Sequence, residues 1–274
     1  MSAHFSTLTV DSDRGVTTVT FDHPPVNLLD GELVADLDRL HARLRDDPGT
    51  RVVVFASANP EFFLAHGDME LVTDRDALES YAAGPGPGLS ERYRGLPQPT
   101  IAKITGRVRG GGAEFLLALD MRYAALETAR FGQPEVALGI IPGGGGTQLL
   151  PRLIGRSRAL EVILGAQLYD ARTAERYGWI DRALPADELD TFVDDLAHHI
   201  AGHPPAAVVA AKRAVQAAAE LPEAEGLAAE AALLMPLFTG TDAIQRFSAA
   251  LEAGAQTRAG ELELERLIDS TRTA

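Results

Sequence analysis

The residues of this chain that could do chemistry are two glutamates and three glycine-bearing segments. Glu114 ends the run Gly106-Arg107-Val108-Arg109-Gly110-Gly111-Gly112-Ala113-Glu114, and Glu135 follows Gln133-Pro134. A pair of carboxylates can divide acid and base roles when their surroundings push their proton affinities apart. Taken singly, each is as readily a surface glutamate. The glycine run lies between a strand and a helix, where it serves either as a tight turn or as Cβ-free backbone whose N–H groups face an anion. Its spacing is neither the dinucleotide G-x-G-x-x-G nor a P-loop, since no Gly-Lys-Ser/Thr follows. A second run, Ile141-Pro142-Gly143-Gly144-Gly145-Gly146-Thr147-Gln148, reads as a loop opening a helix. In Phe62-Phe63-Leu64-Ala65-His66-Gly67-Asp68 an apolar strand end runs into glycine, and Asp68 reads as the cap of a short helix Met69 to Val72. His66 reads as a structural histidine.

Other chemistries drop out. The chain has no cysteine, which removes disulfides, thiolate metal sites and a thiol nucleophile. G-x-S-x-G is absent, and no His cluster has metal-ligand spacing, so no metal site is expected. With a formal net charge of −14 over 274 residues, a nucleic-acid or anionic-membrane partner is not expected. Neither a secretory signal nor an 18-residue apolar run is present, so the expected location is cytoplasmic.

The elements that must position these residues alternate. Phe5 to Val10 and Val16 to Phe21 read as strands around a turn at Asp11–Gly15. A helix starts at Asp30 or Gly31 with Leu33, Leu37, Leu40 and Leu44 on one face, and Arg51 to Phe55 is a buried strand. Thr100 to Thr105 and Met121 to Ala125 read as strands, with a helix at Gly111 to Leu119 between them. Such alternation predicts an α/β core. After about residue 186 the pattern is helical only, with Ala-rich segments at 186–202, 205–220, 223–238 and 241–256. Gly202-His203-Pro204-Pro205 marks the domain boundary, giving a core over 1–203 and a helical region over 204–274. Residues 220–274 hold ten acidic and four basic side chains, a solvated acidic tail. The Gly- and Pro-rich loop from Asp74 to Pro97 is expected to line the deep end of a site.

Three segments in this order, FFLAHGD (62–68), GRVRGGGAEFLLALDMRYAA (106–125) and ARFGQPEVALGIIPGGGGTQLLPRLIG (129–155), resemble the enoyl-CoA hydratase/isomerase (crotonase) family. Pro-Pro-Val-Asn-Leu-Leu (24–29) and the helix from Asp170 agree, and the likeness covers residues 5 to 255. It implies an α/β spiral of ββα units followed by C-terminal helices that mediate trimerisation and complete part of the coenzyme A site. It further implies a homotrimer or a dimer of trimers, and an acyl-CoA thioester substrate that carries its own coenzyme A, with no other cofactor.

Carried over position by position, the oxyanion-hole donors would be the amides of Gly67 and Gly111, and the catalytic acids Glu114 and Glu135. Ala65, His66, Asp68, Met69, Gly110 and Gly112 would border the substrate. Retention of both acids resembles the hydratases, with Glu114 activating water for C3 and Glu135 protonating C2. A double-bond isomerase using Glu135 and a non-catalytic acyl-CoA-binding member are the alternatives. The chain departs from the family at His66, where glycine is common, and at Arg109, where an apolar or small residue is usual. Arg109 either pairs with an acid or faces a polar acyl group. Arg246 and Arg258 are the few tail cations available to coenzyme A phosphates.

Overall fold

In the computed structural model, residues 5–76, 79 and 88–270 are described. The expected Gly84-Pro85-Gly86-Pro87 loop lies outside them. The chain divides into two units, Met1–His198 and His199–Ala274.

The first unit is built on two sheets between which the chain alternates. β1 (Leu8–Asp13), β2 (Val16–Phe21), β3 (Val52–Ser57), β5 (Thr100–Ile104), β7 (Met121–Ala125) and β10 (Arg182–Leu184) form a six-stranded sheet in the order β1-β2-β3-β5-β7-β10. β4 (Phe62–Leu64), β6 (Arg107–Arg109), β8 (Arg130–Gly132) and β9 (Leu168–Asp170) form the second sheet in that order. All pairings are parallel except β1 with β2 and β8 with β9. Each turn of chain places one strand in the large sheet and the next in the small one, so β3–β4, β5–β6 and β7–β8 are successive rungs of a winding core.

The first hairpin turns at Arg14 and Gly15, both with positive φ. The strand therefore runs on to Asp13, beyond the expected Val10, and the turn is shorter than Asp11–Gly15. α1 (Gly31–Asp46) begins at Asp30, whose carboxylate accepts the Leu33 N–H at 2.9 Å, and it buries Leu33, Leu37, Leu40 and Leu44 as the spacing predicts. α2 (Glu70–Thr73) and α3 (Leu89–Arg94) are short. α4 (Gly110–Leu117) starts directly at the end of β6, one residue earlier than expected, and buries seven of its side chains or glycines. α5 (Gly146–Ile154), α6 (Arg156–Gly165), α7 (Ala171–Tyr177) and α8 (Ala186–Ala201) follow.

An aromatic cluster ties the site-bearing elements together. Phe115 on α4 packs against Phe55 of β3 at 5.5 Å and against Tyr93 of α3 at 5.0 Å, while Phe63 of β4 packs against Phe21 of β2 at 5.4 Å. Edge-to-face contacts of this kind add to the burial of each ring. The helix carrying Glu114 and the strand leading to Gly67 thus share one core.

A second tie is polar. Asn27 is 1% exposed and left-handed, with φ +53°. Its amide NH2 donates to Ser57 Oγ and to the carbonyls of Phe62 and Phe63, and its Oδ1 accepts the His23 N–H. Asparagine is among the few residues that tolerate that backbone region.

In the second unit, α9 (Pro205–Glu220), α10 (Glu223–Phe238) and α11 (Thr241–Glu252) match the expected segments closely and have no buried residue. α12 (Arg258–Glu261) and α13 (Leu264–Ser270) end the described chain.

Asn27→Ala should destabilise the protein by roughly 2–3 kcal/mol, the cost of stranding buried carbonyls and straining a left-handed residue. Urea denaturation checks this; a loss below about 0.5 kcal/mol would mean that Asn27 does not tie the 24–29 segment to β4.

Candidate active site

The site forms where β4 and β6 end side by side. β4 runs through Ala65 and His66 to Gly67; β6 runs into Gly110 and Gly111 at the start of α4. Gly67 is held by main-chain bonds on both sides: Leu29 N–H donates to the His66 carbonyl at 2.9 Å, and Asp68 N–H donates to the Leu29 carbonyl at 3.2 Å. A Cβ placed on Gly111 would stand 3.4 Å from the Gly67 nitrogen, so the two glycine amides lie close together. Among the described residues neither N–H has a main-chain acceptor, and no side chain caps α4. First-turn helix N–H groups have no intrahelical partner, and the helix dipole adds positive potential there.

Gly110 separates the glycine pair from Glu135. Its φ is +51°, and a Cβ would stand 2.8 Å from Glu135 Oε1 and 3.5 Å from the His66 Cβ. Only glycine meets both demands. Gly112 answers a different one: a Cβ there would stand 2.6 Å from the Leu64 Cβ, so it lets α4 lie against β4. Of the other expected border residues, Ala65 is buried and Met69 is exposed. Asp68 Oδ1 accepts the Glu70 N–H at 2.9 Å, but the helix starts at Glu70 and not at Met69, so Met69 occupies the cap position expected for Asp68 and Asp68 precedes it.

Both glutamates are buried, Glu114 at 5% exposure and Glu135 at 8%. Glu114 projects from α4 to the second glycine run, where its Oε1 accepts the Gly146 N–H at 2.7 Å. Burial raises its proton affinity, and the N–H groups of Gly146 and Gly144 act against that rise by favouring the carboxylate. Glu135 opens a 3-10 turn, Glu135–Leu138. Burial, with the neighbouring Glu114 charge in the same direction, pushes its pKa up to about 7, against the effect of its own backbone N–H. Both acids are thus shifted toward the neutral form; Glu114 has donors for its charged form from the second glycine run, whereas Glu135 has only its own backbone N–H and keeps a proton near neutrality.

Gln133 escapes a reading of motifs. It is fully buried, and the donors and acceptors around it assign the NH2 end of its amide to the Glu135 carboxyl, 3.1 Å from Oε2 and 3.3 Å from Oε1, with the oxygen end toward Gly146. The same amide lies 3.1 Å from where a Cβ on Gly146 would be, with Glu114 Oε1 2.9 Å from that point. Gln133 thus lies between Gly146 and Glu135, and an amide can serve either protonation state of that acid by donating or accepting. Its sequence signal is a polar residue directly after the short strand β8.

Of its two expected roles, Arg109 does not take the ion pair with an acid. It makes no ion pair among the described residues; its guanidinium lies 5.8 Å from the centre of the Phe62 ring, beside Arg107 at the same distance, and its Nε is buried without a hydrogen-bond partner. It faces away from Val108, whose side chain is buried in the core, because alternate strand residues face opposite sides. Arg246 is engaged by Asp242 at 3.0 Å. No cluster of metal-ligating side chains occurs among the described residues.

Comparison with known proteins agrees with this geometry. Residues 11–254 match the family model described as enoyl-CoA hydratase/isomerase. The chain is 32% identical over 252 residues to the probable enoyl-CoA hydratase echA8 of Mycobacterium tuberculosis, covering 92% of this chain and 97% of that protein. It is 46% identical to a "putative enoyl-CoA hydratase" from Streptomyces avermitilis, whose crystal structure superposes with a TM-score of 0.74 over 99% of this chain and 100% of that one. The Bacillus anthracis enoyl-CoA hydratase structure is 32% identical, with a TM-score of 0.81 over 90% and 96% of the two chains. The winding two-sheet core is the crotonase fold, and the chain belongs to the enoyl-CoA hydratase/isomerase family.

Proposed function

We propose that this protein is an enoyl-CoA hydratase, adding water across the C2=C3 bond of a 2-enoyl-CoA thioester. The observation that carries the reading is the pair of buried glutamates with unlike surroundings, beside two paired glycine amides. Relatives named as enoyl-CoA hydratases at about this level of identity support it.

The thioester oxygen would sit against the N–H groups of Gly67 and Gly111, which favour the charge that develops there as the enolate forms. Each such donor is worth about 3–4 kcal/mol in comparable acyl chemistry. Glu114, whose charged form accepts N–H groups of Gly146 and Gly144, takes a proton from a water positioned between the acids. The oxygen attacks C3 and the electron pair moves through C2 to the thioester oxygen. Glu135 then gives its proton to C2 as the enolate collapses. Glu114 ends protonated and Glu135 ionised, and one proton passed from the first to the second resets the site. Coenzyme A arrives on the substrate, and these steps call on no further cofactor. The unburied faces of α9, α10 and α11, with Val215, Leu234, Phe238 and Phe247 exposed, support self-association as a trimer or a dimer of trimers.

The sign of the pH dependence follows from the roles. Hydration needs Glu135 protonated, a state present below its pKa of about 7 and lost above it. The value of kcat/KM for hydration should therefore fall with rising pH above about 7, and that for dehydration of the 3-hydroxyacyl product should fall in parallel, because the two are tied by an equilibrium that takes up no proton. Loss of the conjugated enoyl-thioester absorbance from crotonyl-CoA and longer 2-enoyl-CoAs measures this directly. Glu114→Gln and Glu135→Gln should each lower kcat by at least about a hundredfold. Wild-type rates in both variants would remove the two-acid mechanism; thioester binding without consumption would point to an isomerase or a binding protein. Light scattering at micromolar protein should give a trimer or larger, and a monomer would contradict the self-association.

A further inference from the structure

The residue before one of the two glycine donors is a histidine, and its ring is turned back onto the donor's own backbone. His66 Nδ1 lies 2.8 Å from the Gly67 carbonyl oxygen. A carbonyl can only accept, so Nδ1 carries the proton and donates. The His66 side chain and main chain therefore grip both sides of Gly67: the His66 carbonyl takes the Leu29 N–H, and its ring holds the Gly67 carbonyl.

Leu29 bonds the peptide on each side of Gly67, and the His66 ring adds a third hold, on the Gly67 carbonyl. The φ of Gly67 is not in the left-handed region, and no described residue comes within 4 Å of where its Cβ would stand, so neither backbone conformation nor crowding among the described residues calls for glycine here. Glycine instead leaves the donor with more backbone freedom than any other residue would. A donor that wanders loses its effect, because an oxyanion hole acts by being oriented before the charge appears. Gly111 is restrained differently, by the helix it opens and by Leu29 and Gly67, which its Cβ would meet at 3.4 Å. Of the two donors, only Gly67 depends on loop contacts.

We propose that His66 is a positioning residue for the oxyanion hole, donating its Nδ1–H to the Gly67 carbonyl so that the Gly67 N–H stays aimed, with that of Gly111, at the thioester oxygen. The inference deepens the hydratase reading and rests on its placement of the thioester. It assigns His66 an action through the backbone, where family likeness alone would make it a border of the coenzyme A site.

Three variants separate these roles. His66→Leu keeps bulk and removes the donor. His66→Asn places an amide nitrogen at the same remove from the backbone as Nδ1 and keeps it. His66→Leu with Gly67→Ala removes the ring but adds a Cβ, in space that no described residue fills, that narrows the backbone freedom. Two readouts serve: kcat and KM for 2-enoyl-CoA, and the red shift of a conjugated arylacryloyl-CoA on binding, which reports polarisation of the thioester carbonyl and needs no turnover. His66→Leu should lower kcat about tenfold, the ratio that one net hydrogen bond represents, with KM within about threefold of wild type and a smaller red shift. His66→Asn should restore both, and the double variant should recover part of kcat and of the shift. A His66→Leu protein with wild-type kcat and shift, or with raised KM alone, would overturn the proposal, as would a folded double variant no better than His66→Leu. If His66→Leu does not fold, the double variant and His66→Asn are compared with wild type, and an unchanged red shift in the double variant together with its loss in His66→Asn would overturn it as well. A wild-type protein that shifts the analogue but hydrates no enoyl-CoA would sink the hydratase reading while leaving the His66 test standing on the shift.

Discussion

Everything in this site depends on bringing two backbone N–H groups from separate strands to one point and keeping both free of protein acceptors. Backbone donors in a folded interior are almost always spent on secondary structure. Here they are spared by glycines that follow the ends of two adjacent parallel strands, Gly67 three residues after β4 and Gly111 in the helix that starts at once after β6. Leu29 bridges to Gly67 from the other side, so the loop after β4 is not free to close on itself. Gly112 brings α4 against β4, and the Phe115 and Phe63 rings fix both elements to the same core. The chemistry of the carboxylates is secondary to this frame, since an acid and a base act on an acyl group only where the enolate can be held.

The acids illustrate how position sets proton affinity without any metal or distant charge. Both carboxyls are desolvated, which alone favours the neutral form in each. Main-chain N–H groups from the second glycine run reach only Glu114, through Gly146 and Gly144. Glu135 is left with burial and with the field of its neighbour, and Gln133 lies against it with an amide that suits either protonation state. The four consecutive glycines at 143–146 thus find their purpose: they bring main-chain donors to a buried carboxylate that has no cationic partner among the described residues.

Much of the frame is legible in the sequence, and the limits of that reading are physical. Helices 205–220 and 223–238 can be bounded to the residue because prolines start them, and Asp30 caps α1 as its residue type predicts. The three-residue strands β6, β8 and β9 carry too few side chains to show alternation; they exist because neighbouring rungs pair with them. Asn27 and Gln133 are single polar residues within apolar stretches, and their value lies in partners distant in the chain, which no local pattern reveals. Arg109 shows another limit: strand alternation sets it opposite the buried Val108 and over Phe62, a placement that no motif around the glycine run gives. The positions of Glu114 and Glu135 became readable as a pair only through family resemblance, because residues on separate rungs meet by winding and not by periodicity.

The most direct measurement follows the oxygen. The protein is incubated with 2-enoyl-CoAs of increasing chain length in water enriched in oxygen-18, and the products are weighed by mass spectrometry. The expected result is a 3-hydroxyacyl-CoA carrying one labelled oxygen on the acyl group, formed by wild type and lost in Glu114→Gln. An acyl-CoA that returns unlabelled at every chain length, whether unchanged or with its double bond moved, would contradict water addition at this site.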